Sequence, residues 1–308
     1  MITLRDAKMG AHASLTSHHP INLDETVAAV AVDSRTVERG TSCRDPRRAA
    51  GRPYYIPDAV AAGATAVMLA EPPPSPLPEG VVFLRVEDTV RALGELAAYH
   101  RRRMHPKVIG ITGSVGKTTT KEVLANVLSS RYRTLRNQKS LNNEIGVPLT
   151  LLALRPEIEV AVVEIGGAYA LGEIEHLCGI ARPSVGIVTN VGSAHIGRMG
   201  SVEKIAETKS ELVACLPADG VAVLNADDPY VRGMAAKARA PCGGTVSTTP
   251  PRSAPMRSRA VGSRESAFGS TLPAVCIPSK RPSWAGTACI LHSRLRLRQR
   301  RSGWTRRR

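Results

Sequence analysis

The sequence predicts an α/β protein in which an N-terminal α/β domain is followed by a parallel-sheet domain of the P-loop type. Two observations indicate this class. From Lys107 onward, β-branched runs alternate with helical periods, which is typical of a parallel sheet with crossover helices. A glycine-rich turn joins the first of these strands to its helix. A chain of 308 residues also has room for two hydrophobic cores.

The N-terminal domain is predicted to cover residues 1–103. Its elements are expected at 27–39 (a strand running into a polar turn), 57–62 (helix), 66–70 (strand) and 81–86 (strand). Asp88 or Thr89 then caps a long helix that ends in the basic run 101–103, where we place the domain boundary. Residues 40–53 interrupt this pattern because they have no periodicity and few apolar side chains.

The second domain is predicted to cover residues 104–240. Its strands are expected at 107–112, 160–165, 185–190 and 221–225. After Ala240 the alternation of strands and helices stops. Residues 241–308 are rich in Ser, Pro, Arg and Gly and show no period, so their composition predicts a disordered tail.

The net charge of +16 is concentrated in that tail. Residues 241–308 contain 14 basic residues and one acidic residue, whereas residues 1–240 contain 28 and 25. The body of the chain therefore shows no sign of a polyanionic partner. One alternative is a nucleic-acid-binding protein that acts through Arg294–Arg308. This stretch has a single aromatic side chain, Trp304, and no recognisable nucleic-acid fold, so we expect no specific nucleic-acid partner.

Cysteine usage and hydropathy predict a cytoplasmic protein. The six cysteines form no C-x-x-C pair, so neither a zinc site nor a small disulfide framework is indicated. Residues 1–13 lack the apolar core of a signal peptide. No stretch approaches 18 uninterrupted apolar residues, so membrane insertion is not expected.

A phosphate-binding turn follows the strand at 107–112. Gly113 and Gly116 allow the backbone to turn tightly and to direct N–H groups at phosphate oxygens, Lys117 supplies a positive charge, and Thr118 supplies a hydroxyl for Mg²⁺. The general P-loop pattern is not met in full, because Ile111 occupies its first position. The alternative, a chance Gly-Lys-Thr turn, is disfavoured by the strand before the turn and the helix after it. That helix is expected to bury one apolar face, formed by Val123, Leu124, Val127 and Leu128.

Polar side chains stand at the ends of the other predicted strands. Glu164 ends one strand, Asn190 ends the next with His195 just beyond it, and Asn225 ends the last before Asp227 and Asp228. The carboxyl ends of parallel strands meet at one edge of the sheet, where ligands of open α/β folds bind. Taken alone, His195 would more often be a surface or satisfied core residue than a ligand.

Lys209 occupies a position where an apolar side chain is expected. Ile205, Lys209, Leu212 and Leu216 follow the i, i+4, i+7, i+11 spacing of one helix face. A lysine in this stripe must extend to water along its apolar stem, pair with another group, or be chemically modified. The spacing alone does not choose between these three possibilities.

The turn T-G-S-V-G-K-T-T at 112–119 resembles the loop of the Mur ligase and folylpolyglutamate synthetase superfamily. Three further stretches, 140–152, 162–201 and 205–229, extend the resemblance, and their order and spacing are most similar to the MurF branch. In the first domain, VAVDSRTVERG resembles the segment with which such ligases hold the UDP end of their substrate. The resemblance covers residues 27–39 and 54–240.

This resemblance implies an ATP-dependent peptide ligase of cell-wall precursor synthesis that also needs Mg²⁺. The γ-phosphoryl group of ATP would activate the terminal carboxylate of UDP-N-acetylmuramoyl-tripeptide as an acyl phosphate, which the amine of D-alanyl-D-alanine would then attack. A monomer is expected. The alternatives within the enzyme class are a MurE-like ligase and a polyglutamate synthetase. The DSRT segment argues against the latter.

The resemblance also assigns roles to residues. Those implied in catalysis are Lys117, Lys209 and His195. Those implied in holding metal are Thr118, Glu164, His195 and a carbamylated Lys209. The nucleotide would contact Gly113, Ser114, Val115, Gly116, Lys117, Thr118, Thr119, Asn142, Asn143, Asn225 and Asp228. The UDP end of the substrate would contact Ser34 and Arg35.

The sequence departs from the family in two places. Mur ligases have a third, C-terminal domain, and nothing after Ala240 resembles it. Residues 241–308, and over a shorter span 40–53, are similar to coding sequence translated out of frame. An inactive ATP-binding remnant is therefore a further alternative.

Overall fold

A computed structural model describes residues 2–27, 29–31, 41–44, 56–167, 170–194, 196–246 and 274–276. The strands are β1 Ile2–Thr3, β2 Ser14–Ser17, β3 Thr26–Val27, β4 Ala29–Ala31, β5 Thr41–Arg44, β6 Ala66–Leu69, β7 Val82–Arg85, β8 Lys107–Thr112, β9 Thr134–Arg136, β10 Val160–Glu164, β11 Val185–Val188, β12 Val221–Asn225, β13 Cys242–Val246 and β14 Ala274–Cys276. The helices are α1 Leu4–Gly10, α2 Ile56–Ala61, α3 Thr89–Met104, α4 Lys117–Ser129, α5 Gly146–Leu152, α6 Glu173–Ala181, α7 Ile196–Met199, α8 Val202–Ala214 and α9 Pro229–Gly233, followed by a 3-10 turn at Met234–Lys237.

The larger sheet confirms the predicted α/β class. Its strand order is β14-β13-β12-β11-β8-β10-β9, and all neighbouring strands are parallel except β13 and β14. In β8, Ile111 pairs with Glu164 of β10 on one side and with Ile187 of β11 on the other. Because the chain passes from one half of the sheet to the other across β8, the loop after β8 lies where ligands of such sheets bind.

The smaller sheet has the order β2-β7-β6-β5-β4, with β2 antiparallel and the remaining pairs parallel. The predicted helix and strands between residues 57 and 86 are confirmed as α2, β6 and β7. Of the two residues predicted to cap α3, Asp88 is the N-cap and Thr89 is the first helical residue. The Oδ1 atom of Asp88 accepts hydrogen bonds from the N–H groups of Val90 (2.6 Å) and Arg91 (2.9 Å).

Helix α3 joins the two parts of the chain. It packs against α1 of the N-terminal part and against α5 and α6 of the second part. Its buried Leu93 and Leu96 belong to a core cluster that also contains Leu4 from α1 and Leu151 from α5. The predicted boundary at residue 103 therefore falls at the end of a helix whose core is shared by both parts.

Two expectations about strands are wrong. The alternation does not stop at Ala240, because β13 extends the sheet in parallel beside β12, with Ala222 paired to Cys242 and Asn225 paired to Thr245. The interrupted segment 40–53 contains β5, which lies between β4 and β6. In both cases backbone pairing with neighbouring strands forms the strand without help from an apolar period. The rest of the predicted tail lies outside the described residues.

The apolar face predicted for α4 is also only partly right. Leu124 and Leu128 pack against the core, but Val123 and Val127 are 42% and 44% exposed. The fully buried positions of α4 are Lys121 and Ala125 instead. Among the helices described, none combines the length and the apolar character needed to cross a bilayer.

Candidate active site

The turn after β8 has the backbone geometry that only glycine adopts readily. Gly113 has φ +139°, and a Cβ atom at this position would lie 2.0 Å from the Oγ1 atom of Thr189. Gly116 has φ +84° and directly precedes Lys117, the first residue of α4. Gly116 offers no side-chain cap to the helix. The amides at the start of this 13-residue helix are therefore presented to the loop, an arrangement that favours anions.

The loop after β11 holds this turn in place. The amide side chain of Asn190 makes two hydrogen bonds of 2.9 Å with the backbone of Val115, one to its N–H and one to its C=O. The N–H of Ser114 donates to the carbonyl of Asn190 (2.9 Å), and the N–H of Gly192 donates to Ser114 Oγ (2.9 Å). Asn190 thus belongs to the site, where it shapes the turn through both ends of its amide.

Lys117 folds back over the turn that precedes it. Its Nζ donates to the carbonyls of Gly113 (2.7 Å) and Ser114 (3.2 Å). Burial lowers the pKa of Lys117, and the nearby Glu164 carboxylate opposes that shift. The ammonium therefore lies against the backbone of the turn, and its contact with phosphate stays a prediction.

The carboxylate of Glu164 binds two other predicted residues, Thr118 and Asn142. The carboxylate is buried at the end of β10, beside the turn. Its Oε2 accepts a hydrogen bond from Thr118 Oγ1 (2.8 Å), and its Oε1 accepts one from Asn142 Nδ2 (2.7 Å). A carboxylate and a hydroxyl are hard oxygen donors, and Mg²⁺ prefers such donors. The residues therefore fit the metal that the sequence implies.

Two buried polar residues behind Glu164 were not predicted. Asn137 binds both backbone groups of Glu164 through its side-chain amide, and Lys121 binds the loop that carries Asn137. The only trace of this arrangement in the sequence is that Lys121 stands one helical turn after Lys117. Asn137 gave no signal at all.

Lys209 is buried as the helical stripe predicts. Its side chain is 4% exposed, and Ile205, Leu212 and Leu216 are buried beside it. The Nζ atom donates a hydrogen bond to the carbonyl of Gly167. Burial, and next the positive charge of Lys117, lower the pKa of Lys209 to about 8. Because the side chain is buried and its Nζ atom is bound to Gly167, the amine does not extend to water. Near neutral pH part of it is uncharged.

The loop beside Lys209 is fixed by Glu211 from the same helix. The Glu211 carboxylate accepts hydrogen bonds from the N–H groups of Gly172 (2.8 Å) and Glu175 (2.9 Å) at the start of α6. A carboxylate at a helix N-terminus compensates free amides and the positive end of the helix dipole. Glu211 also raises the pKa of Lys209, against the effect of burial.

Three predicted nucleotide contacts are engaged in local structure. Asn143 Oδ1 accepts from the N–H of Gly146 (2.9 Å) at the start of α5. Asn225 Nδ2 donates to the carbonyl of Thr189 (2.8 Å). Asp228 caps α9 with one oxygen and accepts from the N–H of Val191 (2.8 Å) with the other. These residues shape the loops at the sheet edge, and their contact with nucleotide stays a prediction.

The remaining predicted residues divide into two groups. Val115 and Thr119 are exposed on the turn and at the start of α4. His195, Ser34 and Arg35 lie outside the described residues, so their predicted roles also stay predictions. Ala194 and Ile196, which flank His195, lie just after the β11 loop that binds the turn.

Comparison with known proteins places this site in a family. A model of the Mur ligase middle domain matches residues 111–268, just over half of the chain. The chain belongs to the Mur ligase family. The match includes the phosphate-binding turn, Glu164 and Lys209, and it continues past Ala240, beyond the limit of resemblance expected from the sequence.

Several proteins similar to this Mur ligase are named as ligases of the MurF branch. A curated UDP-N-acetylmuramoyl-tripeptide–D-alanyl-D-alanine ligase from Synechocystis sp. is 47% identical over 174 residues, which cover 56% of the chain and 38% of the relative. The crystal structure of MurF from Acinetobacter baumannii matches with a TM-score of 0.70 and 30% identity, covering 80% of this chain and 55% of that one. The MurF ligase of Thermotoga maritima, solved in complex with ADP, matches with a TM-score of 0.62 and 31% identity, covering 71% of this chain and 50% of that one. This Mur ligase chain thus spans well under two thirds of the length of these relatives.

Proposed function

We propose that this Mur ligase acts in the ATP-dependent addition of D-alanyl-D-alanine to UDP-N-acetylmuramoyl-tripeptide, as the names of its relatives suggest. The observation that carries the proposal is the contact of Thr118 and Asn142 with the two oxygens of Glu164, directly beside the turn that holds Lys117. This arrangement gathers a phosphate-binding turn, a cation and a set of oxygen donors for metal at one edge of the sheet.

In the proposed reaction the protein chiefly positions groups and neutralises charge. The amides at the start of α4 would bind the β- and γ-phosphates, and Lys117 would turn from its two carbonyl partners to the phosphate oxygens. The terminal carboxylate of the tripeptide would attack the γ-phosphorus, with ADP leaving. The amine of D-alanyl-D-alanine would then displace phosphate from the resulting acyl phosphate and form the amide bond.

Mg²⁺ is part of this proposal. Thr118 and Glu164 would hold it, and when bound it would offset the negative charge that develops on the transferred phosphoryl group. In the structure these two side chains bind each other at 2.8 Å, so their oxygens are already adjacent.

Lys209 is proposed to carry a carbamate. Its buried amine, with a pKa of about 8, has an uncharged fraction near neutral pH that can attack the carbon of CO₂, forming the N–C bond and releasing one proton to solvent. The product is an anion close to the positive charge of Lys117. It would then support a second metal together with Glu164 and His195, as the resemblance implies.

The test is nucleotide-dependent phosphate release. We expect release when ATP, Mg²⁺ and UDP-N-acetylmuramoyl-tripeptide are combined with D-alanyl-D-alanine. We expect no release when glutamate or another single amino acid replaces the dipeptide. Release with a muramoyl-dipeptide acceptor and an amino acid other than glutamate would favour the MurE-like alternative, and release that requires glutamate as the amine would favour a polyglutamate synthetase. ATP binding without any phosphate release would favour the inactive remnant.

A further inference from the structure

Two fully buried polar side chains lie behind the proposed metal site without any role in the reaction described above. Lys121 and Asn137 are both 0% exposed. Burial of a charged or amide side chain is unfavourable unless its polar atoms are paired, and here they are. Their hydrogen-bond acceptors and donors lie in the segment that leads to Asn142 and in Glu164 itself, and Lys121 also forms an ion pair with its neighbour Glu122.

The side chain of Asn137 extends the edge of the sheet. Pairing of β9 with β10 ends at Arg136 and Val162. Beyond it, Asn137 Oδ1 accepts from the N–H of Glu164 (2.9 Å), and Nδ2 donates to the carbonyls of Glu164 (3.1 Å) and Leu141 (2.8 Å). The side-chain amide of Asn137 thus makes hydrogen bonds to the backbone of Glu164 where pairing of β9 with β10 has ended. It fixes the backbone of Glu164 and the residue that precedes Asn142.

Lys121 ties the same loop to the helix that follows the phosphate-binding turn. Its Nζ donates to the carbonyls of Asn137 and Lys139, each at 2.7 Å, and lies 3.1 Å from the carboxylate of Glu122. Thr118 is three residues earlier on α4, on the same face of the helix as Lys121. The lysine therefore sets how closely the helix that carries Thr118 approaches the loop before Asn142.

We propose that Asn137 and Lys121 are positioning residues that hold Glu164, Asn142 and Thr118 together, so that the oxygen donors for metal are in place before nucleotide binds. The inference rests on the proposed function, because it assumes that Glu164 and Thr118 bind metal. Preorganised ligands need no rearrangement on binding, so loss of the supporting contacts lowers metal affinity even when the ligands remain.

The experiment measures metal and nucleotide separately on the full chain. Binding of Mn²⁺, a paramagnetic substitute for Mg²⁺, is followed by electron paramagnetic resonance in the presence of saturating ADP, and ADP binding without metal is followed by calorimetry. We expect Asn137→Ala and Lys121→Met to weaken Mn²⁺ binding by about 10- to 100-fold. Metal-free ADP binding should stay within about twofold, because the turn itself is untouched. Lys121→Arg, which retains N–H donors, should restore most of the Mn²⁺ affinity.

The controls are Asn126→Ala on the exposed side of α4 and Lys204→Met on α8, which should bind Mn²⁺ like the unaltered chain. Variants that lose thermal stability but bind Mn²⁺ normally would overturn the positioning role and leave the proposed function intact. Failure of the unaltered chain to bind Mn²⁺ and ADP would overturn both. If Asn137→Ala does not fold, Lys121→Met tests the proposal by itself. This variant keeps a side chain of similar length and removes only the hydrogen bonds of the Lys121 ammonium to the loop.

Discussion

The hydroxyl of Thr118 lies 2.8 Å from the carboxylate of Glu164, although 46 residues separate them in the chain. The first stands in the opening turn of α4, and the second ends β10. The contact exists because β10 pairs in parallel with β8, so that the end of one strand lies beside the loop that follows the other. It joins the predicted phosphate site to the predicted metal site.

Lys117→Ala should weaken ATP binding by about 10- to 100-fold, because the lost hydrogen bonds to phosphate involve a charged donor. Calorimetry with and without Mg²⁺ measures the change. Lys204→Ala, an exposed lysine on α8, serves as the control and should bind ATP normally. Equal ATP affinity in Lys117→Ala and Lys204→Ala would show that the turn is not a phosphate site.

Gly113→Ala should abolish nucleotide binding and destabilise the fold by roughly 1–3 kcal/mol. The added Cβ atom would lie 2.0 Å from Thr189 Oγ1, and φ +139° is unfavourable for any other residue. Urea unfolding gives the free energy change. Gly179→Ala in α6 is the matched control, since a Cβ atom there meets nothing within 4 Å. It should be neutral or slightly stabilising.

Because of Lys209, the free energy of unfolding should depend on pH in the alkaline range. Its pKa falls from 10.5 to about 8 on folding, so between these values the unfolded chain binds more protons than the folded chain. The stability that Lys209 contributes is therefore complete above 10.5 and is lost as the pH falls towards 8. The free energy of unfolding should thus rise by roughly 3 kcal/mol as the pH increases from 8 to 10.5. In CO₂-free buffer, Lys209→Met should remove this rise. Lys204→Met should retain the slope of the unaltered chain.

Bicarbonate labelled with ¹³C should give a carbamate resonance in the unaltered chain and none in Lys209→Ala. If the carbamate supports metal, Lys209→Ala should lose phosphoryl-transfer activity far more than stability. Short-chain carboxylates should then restore part of that activity by occupying the vacated site. Lys209→Ala with full activity, or with a stability loss that accounts for the whole effect, would contradict this role.

Two truncations should separate the contribution of strand β13 to stability from the contribution of the basic region beyond β14. Removing everything after Ala240 deletes β13 and leaves the edge of β12 unpaired, so we expect reduced stability and reduced solubility. Removing only residues 277–308 should leave ATP affinity unchanged. Any nucleic-acid affinity of the full chain should fall steeply with salt and show no sequence preference. A sequence-selective complex that survives high salt would instead favour a nucleic-acid-binding function.

Local sequence was sufficient for several parts of this molecule. The strand at 107–112, the glycine turn and the helix after it were predictable because each depends on residues close together in the chain. The helix cap could be narrowed to Asp88 or Thr89 for the same reason, and the structure shows that it is Asp88. The helical spacing around Lys209 predicted that this residue stands in a buried stripe, since one face of a helix must meet the core, but it left open whether the amine reaches water.

Only the tertiary structure decided the rest, because the deciding contacts join distant residues. β5 and β13 form through backbone pairing with neighbouring strands, which side-chain periodicity does not report. The rotation of α4 about its axis buries Lys121 where an apolar face was predicted, and the partners that make this burial possible are the carbonyls of Asn137 and Lys139. A buried polar side chain can be recognised only with its partners, and chain proximity does not reveal them.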